Sequence, residues 1–87
     1  AALALARETN HLYTHAFAAV SVSNLWCMLR QWPECEAEAK VALQLSSQGG
    51  FALMYANALM MDGIALVHQG HGEQGIAELA QGIALSD

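Results

Sequence analysis

The segment FALMYANALMMDGIALVHQGHGEQGIAELAQGIALSD, residues 51–87, consists almost throughout of residues that favour helix, yet it contains five glycines. A glycine inside a helix costs about 1 kcal/mol relative to alanine, so Gly63, Gly75 and Gly82 need a structural reason. Close contact between two helix backbones is such a reason, because a residue without a Cβ permits it. We therefore predict two helices that cross at these glycines and are joined by the Gly-His-Gly turn at 70–72.

The rest of the chain continues the helical pattern without the alternation typical of strands, which predicts an all-α fold. Pro33 suits the first turn of a helix, and Gly49-Gly50 suits a helix stop. Thr9-Asn10 suggests a further break. We predict helices at 2–8, 11–31, 34–47, 51–69 and 72–86.

An internal repeat is also predicted. Sliding the chain against itself by 38 residues pairs similar residues across both helices of a pair, for example Ala37 with Gly75 (75 minus 37). Chance matches are common in alanine-rich sequence, but the agreement favours a repeated helical hairpin. In this register Trp32 stands where the later hairpin has Gly70, so we expect a looser first hairpin with a bulky turn.

These elements define one helical-repeat domain over residues 1–87. We assign 1–9 to the tail of a preceding helix, 10–48 to the first hairpin and 49–87 to the second. The chain opens on helix-like residues without an initiator methionine or a cap, so we expect it to be a fragment of a longer array.

The helix predicted at 51–69 is apolar on most sides. Tyr55, Asp62 and Gln69 recur every seven residues as one polar stripe, which predicts an outer or edge face. The other sides need cover, as the inner helix of a stacked repeat would.

Composition limits the class of partner. Three basic residues stand against eight acidic ones, for a net charge of −5, so no basic stripe is present to bind nucleic acid or an anionic membrane. Hydrophobic residues make up 55% and charged residues 13%, which predicts apolar surface left over for a neighbour. The uncharged stretch 9–29 has the length of a membrane span but carries several polar residues, so a buried soluble helix is favoured.

Two cysteines, Cys27 and Cys35, are too few for a disulfide framework and lie in no zinc-binding pattern. Free thiols in a reducing, cytoplasmic compartment are favoured. A strained bridge between the helices that flank the Trp32-Pro33 turn stays open as an alternative.

Little in the sequence indicates chemistry. His11 and His15 have a spacing that can bind one metal, but no third ligand is evident, so a pair of surface histidines is favoured over a metal site. His68 and His71 flank a predicted turn, where they suit a helix end, with pH sensing as the alternative. Neither a nucleophile motif nor a phosphate loop is present, so we expect a protein that is not an enzyme and binds no cofactor.

The second hairpin resembles a tetratricopeptide repeat over the signature positions Gly63, Leu66, Gly70, Gly75, Leu79 and Gly82. The match is weaker in the first hairpin, where Leu25 and Trp32 replace two of these glycines, and the 38-residue spacing exceeds the usual 34. The resemblance implies antiparallel helix hairpins stacked as a right-handed solenoid. The run GIALVHQGHGEQGIAELAQGIAL is also similar to the C-terminal repeat regions of bacterial class III cyclases and signal-transduction ATPases, which implies a regulatory, partner-sensing segment.

If that register holds, the concave surface would bind a protein or peptide, or another domain of the same host. The alternative is a structural role, in which the segment spaces or dimerises its host through apolar ends; a small metal protein or enzyme is less favoured. The residues predicted to line the groove are Val22, Trp26, Leu29, Arg30, Asn57, Met60, Ile64, Val67 and His68.

Overall fold

The computed structural model describes residues 2–86, with side chains from residue 7 onward, and confirms that this part of the chain is helical without strands. No helix within residues 2–86 has both the length and the apolar character needed to cross a membrane. The four helices are α1 (Ala2–Met28), α2 (Trp32–Gly49), α3 (Ala52–His68) and α4 (Gly72–Ser86).

The helices pack as two hairpins, α1 with α2 and α3 with α4. Helix α3 is central, since its backbone also approaches α2 and α1, whereas the α4 backbone approaches α3 alone among the described helices. Small side chains allow these close approaches: Ala19, Ala42 and Ala58, from three different helices, form one buried cluster with Val20 and Leu43 packed against it.

The predicted break at Thr9-Asn10 is wrong, because α1 runs through both residues. The Asn10 carbonyl accepts a hydrogen bond from the Thr14 hydroxyl at 2.9 Å, so the helix continues across this site. Threonine and asparagine disfavour helix only weakly, and the alanine- and leucine-rich residues before them outweigh that preference. Residues 2–9 therefore belong to the first helix of the first hairpin and not to a separate tail.

The glycine contact predicted for α3 and α4 is confirmed. A Cβ built on Gly63 would lie 2.7 Å from the carbonyl oxygen of Gly75, and one on Gly75 would lie 2.6 Å from that of Gly63. One on Gly82 would lie 2.9 Å from the carbonyl oxygen of Ala56. The two helices thus cross with their backbones in contact, which explains why glycine stands at these positions despite its helix penalty.

The two hairpin turns repeat one another with a shift of 40 residues. The Gln31 amide donates to the Trp26 carbonyl at 2.9 Å, and the His71 amide donates to the Leu66 carbonyl at 2.8 Å (71 minus 31 is 40). The other backbone hydrogen bonds that close the first turn have counterparts at the same shift. The 38-residue register predicted from sequence is therefore wrong by two residues.

The corrected shift pairs Ser23 with Gly63 and Cys35 with Gly75. Ser23 and Cys35 are fully buried, and the Ser23 hydroxyl donates to the Cys35 carbonyl at 2.9 Å, so small residues mark the helix crossing in both hairpins. The turn counterpart of Gly70 is Arg30, and both have positive φ, 91° and 60°. The turns of the two hairpins therefore share one backbone geometry, whereas the helix crossing of the first hairpin accommodates side chains with a Cβ and that of the second does not.

Candidate binding cleft and the polar cluster behind it

A cleft of about 290 Å³ lies between α1 and α3. Val20, Ser21 and Asn24 line it from α1, while Asn57 and Met61 line it from α3. Residues four apart on a helix share a face, which is why Val20 and Asn24 on one side oppose Asn57 and Met61 on the other. Tyr13 and Phe51 join the two helices nearer the start of α3, with an edge-to-face ring contact at 5.2 Å between centroids.

The cleft offers free amide groups beside apolar ones. Asn24 and Asn57 are exposed, and neither side chain makes a hydrogen bond to the described part of the chain. Each amide can both donate and accept, which matches the alternating N–H and C=O groups of an extended peptide. The Ser21 hydroxyl donates to the Phe17 carbonyl at 2.9 Å and retains its acceptor capacity. Val20 and Met61 supply apolar contact.

The α3 half of the predicted groove lies on one partly exposed face of that helix. Asn57 lines the cleft directly. Met60 and Val67 lie at the α4 edge of the face, since their side chains contact the positions where Gly82 and Gly75 would carry a Cβ. Ile64 is half-buried between these edges, and His68 is exposed at the end of the helix.

The α1 half of the predicted groove is not brought to this cleft. Successive alternate residues on a helix point about 200° apart, so Val22 lies on a different face from Asn24. Trp26 follows Ser23 by nearly one turn and shares the face that packs on α2, and Leu29 and Arg30 lie in the turn beyond α1. The cleft residues absent from the predicted groove are Val20, Ser21, Asn24 and Met61. A shift of 40 residues from the predicted Met60 and Ile64 leads to Val20 and Asn24, whereas Ser21 and Met61 had no such signal.

His68 has a specific neighbour. Its ring stacks on that of Trp32 at the start of α2, with centroids 4.0 Å apart and planes 4° from parallel. The stack joins the end of α3 to the first hairpin. His68 therefore contributes to the contact between hairpins, while one face of its ring is covered.

A polar cluster joins α2, α3 and α4 behind the cleft, where the sequence predicted an exposed stripe. Asp62 is fully buried and accepts a hydrogen bond from Lys40 at 2.7 Å. Two turns further on, at the C-terminal end of α3, Gln69 donates to Glu36 at 2.9 Å. The predicted outer face is thus an interface between helices, because polar residues on α2 lie opposite it.

Among the described residues, the polar cluster contains one cation, Lys40, and three carboxyl groups, those of Glu36, Asp62 and Glu78. Burial alone would lower the pKa of Lys40, but the hydrogen bond and charge of Asp62, with help from Glu78 and Glu36, outweigh burial and raise it. In α4, burial first, then hydrogen bonding and repulsion from Asp62, raise the pKa of Glu78 from 4.5 to about 7. One oxygen each of Asp62 and Glu78 is buried without a hydrogen-bond donor among the described residues. A proton on Glu78 lets the two carboxyls share a hydrogen bond.

This arrangement predicts that stability falls as pH rises. Between pH 4.5 and 7 the folded protein keeps a proton on Glu78 that the unfolded chain releases, so the free energy of unfolding decreases through that window. We expect a loss on the order of 1 kcal/mol, less than the full shift implies because the side chain is partly solvated. Urea unfolding at pH 4.5, 6 and 8 measures it.

The variant Glu78→Gln is expected to remove this pH dependence and to exceed the wild type in stability at pH 8, since its amide supplies the missing donor. Glu73→Gln, at an exposed position in the first turn of α4, is the matched control and should retain the wild-type dependence. Parallel pH profiles for Glu78→Gln and the wild type would contradict the assignment.

The histidine pair and the two cysteines considered as candidate sites do not form a site in the described part of the chain. The His11 and His15 rings lie 5.7 Å apart, but residues 2–86 contain no group of three side chains suited to a metal. Cys27 and Cys35 are free thiols, and burial raises the pKa of Cys35. A further concavity of about 360 Å³ lies at the turn before α3, beside Phe51, Tyr55 and Leu85.

Comparisons with known protein families, with curated proteins and with solved structures found no match to this chain.

Proposed function

We propose that this chain is a non-catalytic protein-interaction segment that binds an extended peptide in the cleft between α1 and α3. The observation that carries the proposal is the pair of unbonded amides, Asn24 and Asn57, on opposite walls of one cleft with apolar Val20 and Met61 beside them. Such groups can hold a peptide backbone while the apolar side chains cover its residues.

We also propose the architecture that the resemblance implies, a tetratricopeptide-like right-handed solenoid. Two features support it: the hairpin turns repeat at a shift of 40 residues, and α3 packs on both helices of the preceding hairpin. The spacing exceeds the usual 34 residues by about one and a half helical turns. Longer helices give each hairpin a taller face for a partner.

The biological setting is proposed on sequence resemblance. The run from Gly63 to Leu85 is similar to repeat regions of bacterial cyclases and signal-transduction ATPases, so we propose a regulatory segment of a larger cytoplasmic signalling protein. Its partner would be a peptide or another domain of the host. The net charge of −5 favours a neutral or basic partner over nucleic acid.

Peptide selection tests the cleft directly. Random 12-residue peptides displayed on phage are selected against the chain, and the enriched peptides are titrated into labelled protein while amide chemical shifts are followed. We expect shifts centred on Ser21, Asn24, Asn57 and Met61. Shifts confined to other surfaces, or no enrichment, would overturn the proposal.

Substitution sharpens the same experiment. Asn57→Leu keeps the size of the side chain but removes its donors and acceptor, so affinity for the enriched peptides should fall about tenfold or more. Gln44→Leu makes the same kind of change at an exposed site on α2 and should leave affinity unchanged. Equal affinities for the two variants would contradict a role for the amide.

A further inference from the structure

Helix α4 carries an exposed apolar stripe whose counterpart in the first hairpin contacts α3. Ile76 and Ile83 are 62% and 58% exposed, with Ala80 exposed between them. Subtracting 40 gives the corresponding α2 residues, Glu36, Lys40 and Leu43, and all three face α3. Glu36 accepts a hydrogen bond from Gln69, and Lys40 forms an ion pair with Asp62. Leu43 packs on the buried cluster that contains Ala58. The α4 stripe is therefore the face that receives a following hairpin.

Helix α1 carries the complementary face. Val22 is 39% exposed, Leu25 53% and Leu29 56%, with Ala18 also exposed. Adding 40 gives four residues on α3 or at its C-terminal end, three of which contact α2. Those counterparts are Ala58, Asp62, Ala65 and Gln69, which are buried or half-buried.

We propose that a second copy of this chain stacks head-to-tail on the first, with the α1 face of one copy seated on the α4 stripe of the other. The junction would repeat the packing of α3 on α2 that the structure shows within one chain. It includes neither cleft amide, although Ser21 of the cleft wall lies within it. The inference rests on the 40-residue repeat and not on the proposed peptide binding.

The two faces match in chemistry as well as in position. In the repeat, Ala80 of one copy corresponds to Lys40, and Val22 of the next copy corresponds to Asp62, so Ala80 and Val22 meet where Lys40 and Asp62 meet within the chain. In the same way, Ile76 of one copy and Leu29 of the next take the places of Glu36 and Gln69. The four polar side chains of these two internal pairs are thus replaced by apolar ones, so the pairs at the new junction bury no charge. The exposed stripes are apolar surface of the kind that marks an interaction site.

A second layer of contact follows from the same shift. The contacts of α1 with α3 place Val20 and Asn24 opposite Asn57 and Met61. Adding 40 to Val20 and Asn24 gives Met60 and Ile64 of one copy. Subtracting 40 from Asn57 and Met61 gives Phe17 and Ser21 of the next copy, so these two pairs of residues should lie side by side. Phe17 is 58% exposed, so its ring gains cover there.

Head-to-tail stacking of this kind is open-ended, so it forms a chain of copies and not a closed dimer. The two copies use different faces, so each dimer retains one free stripe and one free α1 face for a further copy. The mean mass should therefore continue to rise with protein concentration. A symmetric dimer, in contrast, would reach a plateau at twice the mass of the chain.

Sedimentation and light scattering between about 1 µM and 1 mM test this. Salt at about 0.15 M screens repulsion between chains of net charge −5. Val22→Asp and Ala80→Lys should each raise the apparent dissociation constant at least tenfold, since each buries a charge against an apolar group. Val41→Asp, at a 45% exposed valine on α2 away from both faces, is the matched control and should associate as the wild type does.

The register is tested by combining the changes. The double variant Val22→Asp with Ala80→Lys should regain association, because the introduced charges meet as Lys40 and Asp62 do within the chain. A wild type that stays monomeric, a plateau at twice the mass, or a double variant no better than its parents would each overturn the proposal. Circular dichroism of every variant checks that helix content is retained, and the wild-type series decides the case for self-association without any variant.

Discussion

Replacing Gly75 by alanine should destabilise the protein by about 3 kcal/mol, although alanine is the better helix former. The added Cβ would lie 2.6 Å from the Gly63 carbonyl oxygen and 2.9 Å from the Val67 amide nitrogen. Both are backbone atoms, so the clash is relieved only if α3 and α4 move apart. For a domain of this size the midpoint of thermal unfolding should fall by about 10 to 20 °C, as circular dichroism can measure.

The matched control lies in the same helix. A Cβ on Gly72 meets no atom within 4 Å, so Gly72→Ala should leave stability unchanged or raise it by a few tenths of a kcal/mol. Similar melting temperatures for the two variants would show that the helices do not cross at Gly63 and Gly75.

Replacing Lys40 by methionine should cost about 3 to 5 kcal/mol, because it leaves the carboxylate of Asp62 buried without its cation. Lys40 itself is half exposed and loses little by the change. The penalty therefore comes from Asp62, which is fully buried between α2 and α4. Urea unfolding at pH 7 measures the loss.

The double variant Lys40→Met with Asp62→Leu separates the charge penalty from lost packing. It should recover most of the stability and can exceed the wild type, since an apolar pair of similar volume needs no desolvation of charge. Glu36→Gln, which removes the second and longer contact of Lys40 at 3.8 Å, should change stability by less than about 0.5 kcal/mol. A double variant as unstable as Lys40→Met would locate the penalty in packing instead.

The helices and the glycine crossing could be predicted because each depends on local chemistry. A glycine in a helix interior carries a known penalty, so Gly63 and Gly75 pointed to a contact that the structure bears out. The break at Thr9-Asn10 failed for the opposite reason. Threonine and asparagine often cap helices but also occur inside them, and the neighbouring sequence does not distinguish the two cases.

The repeat register failed because alanine-rich sequence aligns nearly as well at 38 as at 40 residues. The deciding signal is backbone geometry at the turn, where Arg30 takes the positive φ that Gly70 takes in the second hairpin. Arginine rarely adopts that conformation, so the sequence offered no glycine to align. This two-residue error put Val22 and Trp26 in the predicted groove in place of Val20 and Asn24.

The burial of Asp62 could not be predicted from its own helix. A charged residue on a seven-residue polar stripe ordinarily faces solvent, and its partner Lys40 is 22 residues away on another helix. Asn57 was found because it interrupts an otherwise apolar helix on a face that stays exposed. Asn57 on one wall of the cleft could thus be predicted from sequence, while Met61 and the opposite wall required the packing of α1 on α3.

Among the described helices, the α4 backbone approaches α3 alone, and Glu78 of α4 interacts with Asp62 of the charged cluster. The hydrogen bonds of α4 are therefore the first that local opening can break without disturbing the first hairpin. Each opening admits water to Asp62 and releases Glu78 into solvent, where its proton is lost at neutral pH. A lower pH, which keeps Glu78 protonated, and a second copy bound to the α4 stripe should therefore shift the same equilibrium, that between packed and detached α4.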